Sequence, residues 1–597
     1  MSRATVAFIL VLASVSAFAQ RNVIIKTITV RGIKVISRDA VLAAMGSKEG
    51  TILQRSQLRN DETRILDLGY FKDVQILTRM LGDAGTEVEL VVEVAENPVI
   101  REVLVRGNTV LSSEVLTALI VEIQTLGKIY NGRYARQIQM AVEGAYADEG
   151  YSIQIARLGP DPESEGTLLV SIIESMVNEI RLIGLHRTKE KVIRRMMKTK
   201  PGEPYSRRKF RRDAEELLAS FWFDSVRPDE ISLSQAGLYD LELQFVEART
   251  GQINGGVALD PQSRLVGFVS YSDSNFNGLG QSVGVNLSQA TVGGGLSAEF
   301  AWGNRFYDSR DTSMNVRIFS RVVFNFASGG FGGTTSSIGG NFDERRTGFT
   351  MSFSRPFEEI NRGTVGIKVE RVETLNFRAT GTDSFVQQDG DRLSFQLGVD
   401  RDTRHPTVEP YEGELARILV EPSYSNITRI GGTVSTFDSI LGPNYYLRGT
   451  LEYRGYFSKK MPEDTPIETV RPVVAVRVRY GRIMGDTPFF EQVFIGGLDS
   501  LRGYQNQRFW GKQSLAATVE YRYPIQRTFS IVAFTDYGAA WGGYPGISTL
   551  TQRISPRFHL GYGLGVSFRT PVGPIRIDFA FNDEGGSRTH FALGTSF

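Results

Sequence analysis

The chain has 597 residues, a formal net charge of +2 and no cysteine. This length exceeds one ordinary domain, and the near-neutral charge argues against a dedicated nucleic-acid binder. Without cysteine, the chain has no disulfide, no thiolate metal site and no cysteine nucleophile. Its four histidines are His186, His405, His559 and His590. They show neither HxxH nor HExxH spacing, so the sequence predicts no metal site, and it indicates no other cofactor.

Residues 1–19 have the pattern of a secretory signal peptide. A basic start at Arg3 precedes an apolar run from Val6, and the run ends in AFA, an A-x-A cleavage pattern. The run is short for a membrane span and ends in small residues, which favours cleavage before Gln20 over a membrane anchor. We therefore expect an exported protein.

Three weak repeats follow the signal peptide. Each begins with a strand pattern and a turn glycine, and the three glycines lie at nearly equal spacing: Gly32, Gly107 and Gly184. Helical patterns come next, and two strand patterns close each repeat, as in VQILTRM and EVELVVEVAE in the first. The sequence therefore predicts three modules of β-α-α-β-β order, over residues 23–97, 98–175 and 176–248.

Tandem α/β modules behind a signal peptide favour soluble work in the periplasm. Their exposed strand edges could add a strand from an extended peptide through main-chain hydrogen bonds, largely without regard to sequence. The alternative is that the modules are spacers. In the third module, the basic run at 187–212 either rests on anionic lipid headgroups or is a solvated face.

From residue 250 the pattern changes to segments of about ten residues that alternate apolar and polar residues. Turns rich in Gly, Asn, Asp and Ser separate these segments. In GPIRIDFAF, for example, the apolar residues share one face, whereas Arg576 and Asp578 point the other way. Such alternation is typical of a transmembrane β-barrel, and about 16 segments can be counted. Charges in nearly every segment favour a wet lumen over the dry core of a soluble β-sandwich. We predict a 16-stranded antiparallel transmembrane barrel over 250–597.

One enzyme motif is matched, because residues 280–284 (GQSVG) fit G-x-S-x-G. A nucleophile elbow requires a strand, a sharp turn and a helix, whereas the alternating pattern continues here through VGVNLSQA. No nucleotide-binding GxxxxGK[ST] motif is present either. We therefore expect that the protein is not an enzyme.

The order of modules and barrel resembles the outer-membrane assembly proteins of the BamA and TamA type, which combine polypeptide-transport-associated (POTRA) domains with a surface-antigen barrel. The barrel motifs carry this resemblance: FIGGLDSLRGY (494–504), ATVEYRYP (517–524), AFTDYGAAW (533–541), GPIRIDFA (573–580) and the terminal Phe597. Three modules match the TamA arrangement, but module number varies between lineages, so the branch stays open.

The resemblance implies assembly, insertion or translocation of β-barrel proteins at the bacterial outer membrane, with the modules in the periplasm. The implied partners are unfolded outer-membrane proteins, membrane lipids, and accessory lipoproteins or an inner-membrane protein. The alternatives are a two-partner-type secretion transporter and a passive channel. Secretion transporters share the Arg-Gly-Tyr loop but normally carry fewer modules and a plug helix, and a plain porin needs no modules.

The resemblance also implies a role for the loop that contains Leu501, Arg502, Gly503 and Tyr504. In this family the loop folds back into the lumen, where its arginine pairs with acids on the inner wall; here these would be Glu520 and Asp536. The alternation of residues 518–523 independently assigns Glu520 to the polar face. Taken alone, such an arginine would be interpreted as part of a solvated surface loop.

A lateral gate is the last implied feature. The barrel would close by pairing its first strand, about 251–260, with its last strand, about 588–597, which ends in Phe597. The first strand contains Gly251, Gly255 and Gly256, and glycine weakens strand pairing, so the seam could open towards an incoming strand. The alternative is that these glycines only relieve crowding.

Overall fold

A computed structural model describes most of residues 23–593. The stretches outside the description are 1–22, 83–85, 234–236, 260–264, 291–294, 327–340, 359, 379–385, 433–439, 463–464, 468, 506–507, 527, 543–554, 569–574 and 594–597. The predicted signal peptide and Phe597 therefore lie outside the described residues.

The N-terminal part consists of three modules, each with the predicted β-α-α-β-β order. The first contains β1 (Ile24–Arg31), α1 (Arg38–Ala44), α2 (Arg55–Leu66), β2 (Phe71–Leu81) and β3 (Glu87–Glu96). The second contains β4 (Glu102–Arg106), α3 (Ser113–Ile123), α4 (Ala135–Asp148), β5 (Ile153–Pro160) and β6 (Thr167–Glu174). The third contains β7 (Met176–Ile183), α5 (Glu190–Met196), α6 (Arg207–Ala219), β8 (Phe223–Ser232) and β9 (Leu238–Glu247).

In each module the last strand is the middle strand of a three-stranded sheet, and the orders are β1-β3-β2, β4-β6-β5 and β7-β9-β8. The first strand runs parallel to the middle strand in the first two modules, and the second strand runs antiparallel to it. A helix face covers each of these two sheets. In the first module, for example, Val41 of α1 and Ile65 of α2 are buried in one cluster with Leu90 of β3.

The repeated turn glycines have a common steric cause. Gly32, Gly107 and Gly184 all have positive φ, at 91°, 82° and 89°. A Cβ atom at these positions would lie 2.0, 2.1 and 2.2 Å from a carbonyl oxygen of the middle strand. Only glycine fits, because other residues would be strained in this conformation and would also collide with the sheet.

A glutamate at the end of each middle strand holds the loop that follows this glycine. Each of these carboxylates accepts two or three backbone N–H groups at 2.7–3.2 Å: Glu96 from residues 34–36, Glu174 from residues 109 and 110, and Glu247 from residues 186–188. Burial opposes ionisation of Glu247, but these hydrogen bonds prevail and lower its pKa below the ordinary value. All three modules therefore use a glutamate of the middle strand to hold the loop after the first strand.

The remainder of the chain forms one antiparallel sheet of 16 strands, paired in chain order. The strands are β10 (Gly251–Leu259), β11 (Leu265–Phe276), β12 (Gln281–Ala290), β13 (Leu296–Asn304), β14 (Ser313–Phe326), β15 (Asn341–Pro356), β16 (Asn361–Arg378), β17 (Val386–Asp402), β18 (Gly413–Gly432), β19 (Gly442–Ser458), β20 (Val473–Gly485), β23 (Gln513–Gln526), β24 (Phe529–Trp541), β25 (His559–Phe568), β26 (Ile575–Asn582) and β27 (Ser587–Leu593). A short hairpin of β21 (Val493–Ile495) and β22 (Phe509–Gly511) interrupts this order.

The two faces of the sheet are inverted relative to a soluble protein. On β23, Val519 and Tyr521 are about half exposed, whereas Glu520 between them is fully buried. On β26, Phe579 is about half exposed, and the neighbouring Asp578 is fully buried. Apolar side chains outside and charged side chains inside are the pattern of a membrane barrel, so the predicted fold class is confirmed.

Two details differ from the sequence-based prediction. The central strands of the 16-stranded sheet are longer than the predicted segments of about ten residues, and β18 reaches 20 residues. Main-chain pairing continues past the apolar stretch because the ladder hydrogen bonds do not depend on side-chain type. The second detail is the closing seam, since no pairing joins the described residues of β10 and β27.

By internal contacts the chain divides into two compact units. The first contains the first two modules with short pieces of the third, and the second contains the rest of the third module with the 16-stranded sheet. None of the helices in the described part is both long enough and apolar enough to cross a membrane.

Candidate functional site

The loop between β20 and β23 returns along the inner face of the sheet. Its tip is a tight turn in which Gly497 and Leu501 exchange backbone hydrogen bonds at 3.0 Å. The hydroxyl of Ser500 accepts the N–H of Gly496 at 2.8 Å, and Leu501 is fully buried. This turn fixes the chain direction immediately before Arg502.

Arg502 is 2% exposed and contacts three acids on the inner face. Its Nε and Nη2 atoms each donate to the carboxylate of Asp536 at 2.7 Å, which is a bidentate pair. Its Nη1 atom donates to Glu520 at 2.8 Å and to Asp578 at 3.1 Å. The guanidinium also lies 3.5 Å from the ring centroid of Phe534.

Two further arginines complete this cluster. Arg576 contacts Glu520 and Asp578, each at 2.7 Å, and Nε of Arg522 donates to Glu520 at 2.9 Å. The cluster therefore pairs three guanidinium groups with three carboxylates. Balanced and hydrogen-bonded charges can be buried together, whereas an unpaired charge in this position would be costly.

Gly503 is required by the approach of the loop to the sheet. It has φ of 88°, and a Cβ atom there would lie 2.6 Å from the carbonyl oxygen of Phe581. Its own N–H donates to His590 at 3.1 Å, and its carbonyl accepts from Asn582 at 2.6 Å. On the sheet side, Gly561 leaves room for the loop, because a Cβ atom there would lie 2.0 Å from the carbonyl oxygen of Arg502.

Tyr504 ends the motif in a second polar contact. Its hydroxyl donates to Asp583, in the turn after β26, and its ring meets that of His559 edge-on, with centroids 5.5 Å apart. His559 is stacked against Phe509 of β22 at a centroid distance of 4.1 Å. The loop is thus held on both sides of the arginine.

The structure brings together the predicted residues Leu501, Arg502, Gly503, Tyr504, Glu520 and Asp536. Sequence reasoning did not assign Asp578, Arg576, Arg522 or Gly561 to this cluster. A signal existed for the first two, since the alternation in GPIRIDFAF already assigned them to the polar face. No local pattern distinguished Gly561 from the other glycines of its strand.

The three glycines predicted for the gate lie elsewhere, on β10. Gly251, Gly255 and Gly256 pair with residues 273, 269 and 268 of β11. A Cβ atom at Gly255 or Gly256 would meet its described neighbours at 3.4 Å or more, which is ordinary contact. Crowding by the described residues therefore does not explain these two glycines.

The third module contacts the turns of the sheet through charged residues. Nε of Arg195 donates to Asp311 at 3.0 Å, and Arg212 forms an ion pair with Glu412 at 2.6 Å. Part of the basic run at 187–212 is thus engaged with the protein itself. Glu215 of α6 lies 2.9 Å from Nε2 of His405 and also accepts the hydroxyl of Tyr411, both in the turn between β17 and β18.

Comparison with known proteins gives two family matches. The Omp85 superfamily domain matches residues 275–597, and the POTRA repeat, described as a surface antigen variable number repeat, matches residues 23–97 and 175–247.

Similar proteins come from plants and bacteria. Outer envelope protein 80 of Arabidopsis thaliana is 24% identical over 97% of this chain and 79% of its own. The outer membrane protein assembly factor BamA of Neisseria meningitidis is 22% identical over 96% of this chain and 78% of its own. Among solved structures, CdiB from Escherichia coli has a TM-score of 0.53 at 12% identity, covering 86% of this chain and 92% of its own. This last likeness concerns the fold alone.

Proposed function

This chain belongs to the Omp85 superfamily, and we propose that it assembles or inserts β-barrel proteins into the outer membrane of a bacterium. The sheet lies in the outer membrane and the modules lie in the periplasm. Similarity to a BamA assembly factor over nearly the whole chain supports this activity. The observation that carries the proposal is the buried Arg502 cluster, which holds a loop against the inner face of a membrane sheet.

In this proposal, residues 23–97, 98–175 and 176–248 are three POTRA modules that receive unfolded outer-membrane proteins, and residues 250–597 form the barrel. The edge strands β1 and β2 flank β3 in the first module, and such edges can pair with an extended client segment. Lipids of the outer membrane are the second partner, and accessory lipoproteins or an inner-membrane protein would complete the machinery.

The gate would lie between β10 and β27, with Gly251, Gly255, Gly256 and Phe597 as its residues. One observation and one general argument support this placement. The glycines at 255 and 256 are not required by the packing of their described neighbours. A strand with few side chains also loses less packing energy when it separates from its partner. Folding of the client would then drive the reaction, without a catalytic residue or a cofactor.

Reconstitution tests this function directly. The purified protein is placed in liposomes with an unfolded outer-membrane barrel protein, and the rate at which this client becomes protease-resistant and heat-modifiable is measured. We expect acceleration over empty liposomes and loss of that acceleration in the Arg502→Ala variant. Ion conductance without acceleration, also after addition of periplasmic and membrane extract, would instead favour a secretion transporter or a passive channel.

A further inference from the structure

The loop between β20 and β23 contacts the inner face of the sheet at a second place, far from Arg502 in strand order. A single short turn, at Phe489–Glu491, makes this contact. The carboxylate of Glu491 is 1% exposed and lies 3.2 Å from Arg346, 3.1 Å from Arg392 and 3.6 Å from Arg448. These three arginines come from β15, β17 and β19.

Backbone groups of the same turn are also bound by the sheet. The carbonyl of Phe490 accepts from Arg346 at 2.8 Å, and the carbonyl of Glu491 accepts from Arg448 at 2.9 Å. On the other side, the N–H of Phe489 donates to the side chain of Gln388 at 2.6 Å. The sheet therefore binds the main chain of the turn on both sides, in addition to the charged side chain of Glu491.

An apolar contact accompanies the polar ones. The ring of Phe490 is buried in one cluster with Val372 of β16 and Ile427 of β18. The turn therefore combines a buried aromatic side chain and a buried carboxylate, which together specify a single position of the turn on the inner face.

The charges of the sheet around this turn favour an acidic side chain. Besides the three arginines, Lys368 of β16 lies 3.0 Å from Glu370, which also contacts Arg392 at 3.1 Å. Among the described residues, the sheet carboxylates within ion-pair distance of these cations are Glu344 and Glu370. Four cations therefore face two sheet carboxylates, and Glu491 reduces this excess of positive charge.

We propose that Glu491 is a second anchor that positions this loop for assembly activity. It ties the loop to β15, β17 and β19, while Arg502 ties it to β23, β24 and β26. The loop then links two parts of the sheet that are separated in strand order. The positioning role rests on the proposed function, whereas the anchor itself does not.

Hydrogen exchange of the full-length protein in liposomes tests the anchor independently of assembly activity. We expect Glu491→Gln to increase exchange at residues 489–495 at least tenfold, while residues 500–504 stay protected by Arg502. Arg448→Gln removes a cation whose described ion-pair partner is Glu491, and it should have the same effect if Glu491→Gln fails to fold. Asp499→Asn is the matched control, because Asp499 is an exposed acid of the same loop.

Client insertion by the same variants tests the positioning role. We expect a severalfold lower rate for Glu491→Gln, partial recovery in Glu491→Asp, and the wild-type rate for Asp499→Asn. Unchanged exchange in both Glu491→Gln and Arg448→Gln would overturn the anchor. Increased exchange with an unchanged insertion rate would overturn the positioning role. A wild-type protein that inserts no client would contradict the proposed function, and the exchange result would still decide the anchor.

Discussion

Arg502 shows how one residue can connect a loop to four strands. Its guanidinium donates to acids on β23, β24 and β26, and its carbonyl oxygen lies where a Cβ atom of Gly561 on β25 would be. The planar guanidinium suits this position because it can donate in several directions at once, which the single ammonium of lysine cannot do with the same geometry.

Replacing Arg502 with alanine should free the loop. Among the described residues, Glu520 and Asp578 would keep Arg522 and Arg576 as ion-pair partners, whereas Asp536 would lose its bidentate pair. Removing one partner of a buried ion pair costs roughly 3–5 kcal/mol. We expect the sheet to form, the loop to become accessible to protease, and client insertion to fall. Limited proteolysis and heat-modifiability of the reconstituted protein measure both effects.

The matched control for this variant is Arg508→Ala. Arg508 belongs to the same loop, where it lies 5.6 Å from the ring centroid of Phe509. Its removal should leave loop protection and insertion near the wild-type values. A protected loop and full activity in Arg502→Ala would contradict the importance of the buried cluster.

Gly561 offers a test that changes no charge. Because the methyl group of alanine would lie 2.0 Å from the carbonyl oxygen of Arg502, Gly561→Ala should push the loop away from β25. Overpacking of this kind typically costs about 1–3 kcal/mol. Hydrogen exchange of residues 500–504 should increase in this variant. Gly255→Ala is the comparison, since its Cβ atom meets described neighbours only at 3.5 Å or more, and it should leave this exchange unchanged.

At the scale of elements, helix α6 of the third module is joined to the turn between β17 and β18 by Glu215. Burial opposes ionisation of this carboxyl, but hydrogen bonds from His405, Tyr411 and Arg211 lower its pKa from 4.5 to about 2. Arg471 adds a cation 3.9 Å away and stacks on the ring of Tyr411. The helix and the turn are therefore connected by a carboxylate that stays charged in mild acid.

This connection should depend on pH in a defined window. Because the pKa of Glu215 is lower in the folded protein, its stabilisation is fully present above pH 4.5 and is lost as pH falls towards 2. The effect is at most on the order of 3 kcal/mol. Hydrogen exchange of residues 207–219, corrected for intrinsic rates, should increase across this window in the wild type.

The Glu215→Gln variant removes the titrating group. Its exchange at residues 207–219 should be faster than that of the wild type at pH 5 and should change little between pH 5 and pH 2. Equal pH dependence in both proteins would show that another group controls this contact.

At the scale of the whole molecule, the sheet has two ends that must meet for closure, β10 and β27. The chain has no cysteine of its own, so an engineered pair on these strands can be oxidised without competition. If the seam opens during assembly, a disulfide between β10 and β27 should abolish client insertion, and a reductant should restore it. Full activity of the oxidised protein would refute the gate.

A control pair lies next to the seam. Asn254 of β10 is directly paired with Ser270 of β11, so cysteines at these positions can form a disulfide inside the sheet. This bond should leave insertion unchanged, which separates locking of the seam from a general effect of oxidation.

Much of this architecture could be predicted from local patterns. The order of elements in the modules and the inward face of Glu520 and Asp578 follow from the periodicity of helices and strands. The greater length of the central strands of the 16-stranded sheet was missed, and so were the glutamates that hold the module loops. The hydrogen bonds of these glutamates join residues about 60 positions apart, as for Glu247 and Thr188, and no local pattern indicates them.

The sequence by itself determined which side chains face the lumen and which face the membrane, because the side-chain period of a strand is a local property of the backbone. Only the tertiary structure decided which inward charges meet. Arg502 reaches acids 18, 34 and 76 positions away, and this requires the register of four strands and the space above Gly561. The ion pairs of Glu491 depend in the same way on strands that precede it by up to 145 positions, since charges are paired by proximity in space rather than in sequence.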